Sequence, residues 1–397
     1  MKIILVVIDG LADKRIKTLD DKTPLEAANT PNMDKMAKSG LTGQVFPFIE
    51  KDKLPTSEDA HLALLGYDPE NDNPGRGVFE VAGIGMDIKA GDVALRGNFA
   101  TLGLDGLILD RRAGRIEETE ELIEAISNIK IRGVEFLIKK AVSHRIGIIM
   151  RGKGLSSKIS SGDPKKEGAA PLKIMPRDNS QEAVFTAEVL NEFLEKSYDI
   201  LKNHPKNKQK QLPANYILVR GAGTPKNITS FSKKYGLKAA FVAGGALYKG
   251  IARILDMEEI KVEGANGLPG TNLSGKILAA KNALKEYDFV FCHIKAADNL
   301  AEDGKFKEKK ELIERIDQSF GPFLDLKNTT IAVTADHATC SESKSHCLES
   351  VPLLIYNSEI KNDNRVKFSE ASCKEGELKG IEQIDLMEII LTIAKKI

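Results

Sequence analysis

Runs of β-branched, aromatic and small apolar residues fill positions 3–8, 289–294 and 330–335. Each has the length of a single strand, and the near absence of polar alternation fits strands covered on both faces. Each run also ends in acid. The first stops at Asp9-Gly10, the second passes Lys295-Ala296-Ala297 to reach Asp298, and the third stops at Asp336-His337, with His346 nine residues on. Open α/β sheets gather their ligands at the carboxyl ends of strands, so this pattern predicts a metal cluster along one sheet edge.

Between these runs the pattern switches to a helical period. Residues 20–28 read as a short capped helix, and 30–40 as a helix closed by Gly40. Residues 53–66 read as a turn that brings Ser57 to the start of a helix. Residues 71–91, rich in glycine, read as an irregular loop. From about Gly91 the texture changes to short strand-like pieces (93–95, 107–109, 146–150) among charged helical stretches such as 117–127. A long amphipathic helix spans 180–203 and is followed by a lysine-rich run at 206–210, read as a solvated linker. The strand at 216–219 leads into Arg220-Gly221-Ala222-Gly223, a turn suited to presenting N–H groups to an anion. Strand and helix alternate again from 239, with helices at 246–255 and 272–286. The expected organisation is α/β: a doubly wound sheet domain from residues 1–90 and 235–397, interrupted by a smaller inserted α/β domain at 91–234.

Composition narrows the function classes. The 397 residues carry a net charge of +1, which gives no global field for nucleic acid or an anionic membrane. No apolar stretch approaches the ~18–20 residues of a membrane span. The amino terminus enters a strand directly, without the pattern of a signal peptide. The four cysteines show no CxxC pairing, so free thiols in a reducing cytoplasm are expected. Cys340 and Cys347 flank His346 and raise a zinc site as the alternative, although the surrounding acids suit a harder ion.

The chemistry these residues permit is phosphoryl transfer. Two divalent ions ~4 Å apart stabilise the attacking and leaving oxygens and acidify a bound hydroxyl. Ser57 fits two roles, a nucleophile at a helix N-terminus or an ordinary N-cap. Arginines near glycines, including Arg96, Arg145 and Arg220, suit bidentate grip on phosphate or carboxylate, or surface ion pairs.

Several segments together resemble the archaeal-type, cofactor-independent phosphoglycerate mutases of the alkaline phosphatase superfamily. They are Val7-Ile8-Asp9-Gly10, Pro55-Thr56-Ser57, Gly75-Arg76-Gly77-Val78-Phe79-Glu80, Arg96-Gly97-Asn98-Phe99-Ala100-Thr101, Leu247-Tyr248-Lys249-Gly250-Ile251-Ala252-Arg253 and Ala335-Asp336-His337. The resemblance covers the whole chain and implies an alkaline-phosphatase-like fold. It implies one divalent ion, usually manganese, on Asp9, Ser57, Asp336 and His337, and a second on Asp298 and His346. Magnesium, cobalt or zinc are the other metals to consider, and 2,3-bisphosphoglycerate is not required. Ser57 becomes the phosphoserine nucleophile and Lys249 the lysine that steadies it. Arg96, Arg145 and Arg220 fall in the substrate-binding insert, which closes to keep water from the phosphoserine.

The sequence departs from the family pattern twice. A histidine usually follows the Asp298 equivalent by four residues, and here Glu302 stands there as a candidate ligand. The insert reads Ser160-Ser161-Gly162-Asp163-Pro164-Lys165 where relatives carry more acid and a histidine, leaving Asp163 as the candidate substrate-side acid. The reaction implied is interconversion of 3- and 2-phosphoglycerate, in a cytoplasmic enzyme. Two other functions compete with it: a phosphohydrolase or phosphotransferase acting on another small alcohol such as homoserine, and a non-catalytic metal-binding paralogue.

Overall fold

A computed structural model describes residues 1–47, 53–208, 210–360, 362 and 364–395, which form two compact units. The first comprises Met1–Asn73 with Ile228–Ile397, the second Pro74–Asn227.

An eight-stranded sheet is the centre of the first unit. From edge to edge its strands are Glu258–Glu259, Ala239–Val242, Phe289–Ile294, Lys2–Ile8, Thr329–Thr334, Val351–Tyr356, Gly40–Phe46 and Leu378–Glu382. The first five run parallel, and the Val351–Tyr356 strand is antiparallel to both its neighbours. Ile3 to Ile8, Phe289 to Ile294 and Thr329 to Thr334 are buried throughout, as expected of central parallel strands with both faces covered. Register decides what these strands deliver. Val7 is level with both His293 and Thr334, so Asp9 and Asp336 leave adjacent strand ends at the same height.

The expected helices at 20–28, 30–40 and 53–66 form at Pro24–Ala27, Pro31–Lys38 and Ser57–Leu64. Gly40 begins a strand and does not close the helix before it. A Cβ there would lie 2.6 Å from the Ile355 carbonyl oxygen, so glycine serves strand contact.

In the second unit the strand Val93–Leu102 pairs with Arg145–Arg151 on one side and Tyr216–Gly223 on the other, all antiparallel. A further strand, Val134–Lys140, was not evident from sequence and pairs with Arg145–Arg151. The amphipathic helix Gln181–Asn203 closes the core, where Phe193 stacks on Phe136 with ring centroids 3.9 Å apart. The lysine run after it is only partly a solvated linker, since Lys206 pairs with Glu118 and Glu121.

The expected irregular loop at 71–91 contains the helix Arg76–Gly83, which buries Val78, Phe79 and Val81. Gly75 and Gly77 mislead because they serve close packing. A Cβ on Gly77 would sit 2.3 Å from the Ala94 carbonyl oxygen. That helix packs within the second unit, which therefore begins at Pro74, upstream of the break in texture near Gly91.

Candidate metal centre

At the carboxyl ends of the three central strands, Asp9, Asp298, Asp336 and His337 are all buried, and His346 is half-buried beside them. His337 Nε2 lies 3.1 Å from Asp336 Oδ2 and 3.6 Å from Asp9 Oδ1, and His346 Nε2 lies 3.5 Å from Asp298 Oδ1. The rings of His337 and His346 stack with centroids 3.6 Å apart. Two sets of three ligand atoms result, Asp9–Asp336–His337 and Asp298–His337–His346, each within 4.8 Å of one another.

Backbone and second-layer contacts aim these groups. Thr339 Oγ1 donates to Asp298 Oδ1 at 2.8 Å and lies 3.1 Å from His337 Nδ1. Once Nε2 gives up its proton to a cation, the Nδ1–H donating to that hydroxyl holds the ring with its Nε2 lone pair toward the ion, the arrangement that orients metal-ligating histidines. Gly10 N–H donates to Asp336 Oδ1 at 3.2 Å. Gly10 has φ +66°, and a Cβ there would meet Thr339 Oγ1 at 2.6 Å, so the turn after Asp9 requires glycine.

The electrostatics are those of crowded acid. Burial alone would raise Asp9, but Lys295 foremost, then His293 and His337, hold it well below the usual carboxylate range. Burial likewise opposes ionisation of Asp298, and Lys295 again outweighs it and lowers the pKa. Burial would depress His337, yet Asp336, Asp9 and Asp298 push it up to about 9. Among the described residues, Asp9 Oδ2, Asp336 Oδ2 and His337 Nε2 are buried without hydrogen-bond partners. Unpartnered buried carboxylate oxygens beside an imidazole nitrogen that releases its proton on ligation are the donor set a divalent cation satisfies, so the residues fit such an ion.

The remaining candidates divide. Ser57 is buried at the first position of the helix Ser57–Leu64. The N-cap reading fails for it, because Thr56 caps this helix in a reciprocal box with Asp59. Glu302 ends the helix Ala296–Glu302, one turn beyond Asp298, with an exposed side chain outside both ligand sets. Its pKa is raised, by desolvation first and then by the negative charge of Asp298. Lys249 Nζ is held by Glu259 at 2.8 Å. Sequence reasoning left Lys295 without a role, yet its ammonium touches Asp298 and lies 3.4 Å from Asp9 Oδ1. Also missed were His61 and His293, both fully buried in the same cluster. His61 was visible as a histidine four residues after Ser57 on one helix, and His293 as the lone imidazole in an otherwise apolar strand.

Cys340 and Cys347 are joined in a disulfide, which overturns the expectation of four free thiols and removes both sulfurs as zinc ligands. The cause is a hairpin, Ala338–Cys340 with Ser345–Cys347, which brings the two Cα atoms to 5.9 Å, within disulfide range. Cys292 and Cys373 are free and buried.

In the second unit, Arg96 and Arg76 reach Glu80 at 3.4 Å, while Arg220 and Arg111 each hold Asp163 at 2.7 Å. Arg96 is cross-strand to Arg220, and Arg145 follows on the neighbouring strand. Burial lowers the Arg96 pKa to about 9; Glu80 opposes this, and Arg145, Arg76 and Arg220 add to it. Guanidinium groups outnumber the carboxylates among them, the electrostatic condition of an anion site.

Comparison with known proteins agrees with this geometry. Residues 1–393 match the model of the metalloenzyme superfamily. The 2,3-bisphosphoglycerate-independent phosphoglycerate mutase 1 of Archaeoglobus fulgidus is 43% identical over 410 residues, covering 100% of this chain and 99% of its own. The corresponding mutase of Methanococcus aeolicus is 43% identical over 403 residues, covering 100% and 98%. Among solved structures, a Pyrococcus horikoshii protein superposes with a TM-score of 0.86 at 35% identity, covering 100% of this chain and 98% of its own. The cofactor-independent phosphoglycerate mutase of Thermoplasma acidophilum superposes with a TM-score of 0.71 at 37% identity, covering 99% of each chain. A chain matched end to end at this identity, with its acids and histidines meeting at one sheet edge, belongs to the 2,3-bisphosphoglycerate-independent phosphoglycerate mutase family of the metalloenzyme superfamily.

Proposed function

We propose that the protein interconverts 3-phosphoglycerate and 2-phosphoglycerate through a phosphoserine at Ser57, without 2,3-bisphosphoglycerate. The observation that carries this reading is the convergence of Asp9, Asp298, Asp336, His337 and His346, with buried ligand atoms on three of them that lack hydrogen-bond partners among the described residues. Family membership over the full chain supports it.

In this reading Asp9, Ser57, Asp336 and His337 hold one divalent ion, and Asp298 with His346 holds another, with Glu302 as the further candidate ligand of the second. Manganese suits the mixture of imidazole and carboxylate donors. Bound divalent ions would lower the pKa of the serine hydroxyl and offset charge on the phosphoryl group. Ser57 Oγ bonds to phosphorus as the phosphorus–oxygen bond to the glycerate breaks. The freed glycerate oxygen takes up a proton, matching the one lost from Ser57. The glycerate's other hydroxyl then attacks the phosphoserine, and Ser57 recovers its proton. Arg96, Arg145 and Arg220 bind the glycerate carboxylate as a guanidinium cluster, with Asp163 fixing Arg220 by ion pairing. Lys295 steadies negative charge beside Asp9 and Asp298.

The test is incubation of manganese-loaded protein with 3-phosphoglycerate in the absence of 2,3-bisphosphoglycerate. Formation of 2-phosphoglycerate without stoichiometric inorganic phosphate supports mutase chemistry. Release of phosphate alone would assign a phosphohydrolase instead.

A further inference from the structure

His61 and His293 border the two ligand sets just described but belong to neither, and no step of the phosphoryl transfer assigns them a role. Both are fully buried, with ring centroids 5.0 Å apart. His61 Nδ1 lies 2.8 Å from the Ser57 carbonyl oxygen. A carbonyl only accepts, so Nδ1 carries the proton and Nε2 is left as a lone pair. That Nε2 has no hydrogen-bond partner among the described residues. Neither ring nitrogen of His293 has one among these residues either, although Nε2 lies 3.2 Å from Asp9 Oδ2, itself without a hydrogen-bond partner there. Tyr248 stacks on His293 with centroids 3.6 Å apart and borders His61 at 4.7 Å, an aromatic wall against water.

We propose that Asp9, His61 and His293 hold a further divalent transition ion, beyond the pair assigned to phosphoryl transfer. Their donor atoms all lie within 4.8 Å of one another. Asp9 presents Oδ1 toward His337 and Oδ2 toward His293, so its carboxylate bridges this site to the neighbouring ligand set. One cation satisfies at once the orphan acceptors that the fold otherwise leaves bare. The tautomer of His61 is already fixed for ligation by the Ser57 carbonyl, as outer-layer partners of metal-bound histidines do. Two imidazoles and one carboxylate favour zinc, cobalt or manganese over magnesium, and three protein ligands leave a coordination position open.

The experiment loads the full chain with cobalt, removes excess ion by gel filtration, and counts bound cobalt by mass spectrometry. Wild type should hold one more ion per chain than the double variant His61→Gln, His293→Asn. A crystal of the cobalt-loaded wild type, measured at the cobalt absorption edge, gives a readout that needs no variant to fold. An anomalous peak about 2 Å from His61 Nε2 and from a His293 nitrogen supports the site, whatever the occupancy of the other two ligand sets. Peaks at those two sets with none at this triad, or equal cobalt in wild type and variant, would overturn it. Mutase activity enters neither readout, so failure of this site and failure of the proposed reaction are distinguishable.

Discussion

His61 clamps Ser57: its Nδ1 sits 2.8 Å from the serine carbonyl oxygen, one helical turn apart. The same ring nitrogen lies 3.6 Å from Asp336 Oδ2. The backbone of the serine is thereby tied through one buried imidazole to the acid cluster, while the capping box of Thr56 and Asp59 fixes the helix entry. The hydroxyl is presented by a rigid first turn.

Ser57→Ala should therefore remove chemistry and little else. Turnover is expected to fall by roughly 10⁴-fold or more, with the unfolding midpoint near wild type. Mass spectrometry of protein quenched with substrate should find phosphate on Ser57. Phosphate on a histidine would sink the mechanism.

Metal dependence carries a second prediction. Chelation should abolish activity, and manganese should restore it better than magnesium, because His337 and His346 contribute imidazole. Glu302→His should tighten the ion at Asp298 and His346 by about tenfold, since imidazole is the better donor for a transition ion. Unchanged stoichiometry and turnover in that variant would make Glu302 a plain surface residue.

Arg220 is fixed by Asp163 and lies cross-strand from Arg96. Arg220→Lys keeps the charge and loses the planar fork, so KM for 3-phosphoglycerate should rise about tenfold with a smaller effect on kcat. An unchanged KM would place the glycerate carboxylate elsewhere.

The Cys340–Cys347 disulfide staples the hairpin that carries His346. Replacing both cysteines by serine should weaken the ion at Asp298 and His346 by roughly tenfold, as loosened support of a ligand does. Binding at Asp9 and Asp336 should change far less. A titration showing identical affinities at both would remove the disulfide from any role at the centre.

Glu370 supplies a pH test remote from the metals. Burial raises its pKa to about 7, against the pull of Thr23, which donates to Oε2 at 2.8 Å. The folded protein thus binds this proton more tightly than the unfolded chain, where glutamate titrates near ~4.3. The stability it contributes is full below about pH 4 and is lost as pH rises toward 7. Glu370→Gln should stabilise the protein by about 1–2 kcal/mol at pH 8 and hardly at pH 4, read from urea unfolding. Equal gains at both pH values would contradict a buried, protonating carboxyl.

The α/β class, the central strands and the acids at their ends are legible in the amino-acid order. Strands covered on both faces lose the polar alternation that otherwise blurs a boundary, so residues 3–8, 289–294 and 330–335 were legible as written. Asp9 and Asp336 stood out by position, because a parallel sheet must deliver its strand ends to one edge, whereas the grouping of Asp298, His337 and His346 with them as ligands came from the family resemblance. The helix Arg76–Gly83 was not legible, since glycine marks close backbone approach as readily as a loop, and only the Ala94 carbonyl beside Gly77 tells which. The same holds for Cys340 and Cys347, where hairpin pairing put two Cα atoms within bonding range that spacing did not specify. His61 and His293 entered the cluster only through packing. One comes from a helix and the other from a strand, and no periodicity relates residues that the chain brings together across 232 positions of separation by folding alone.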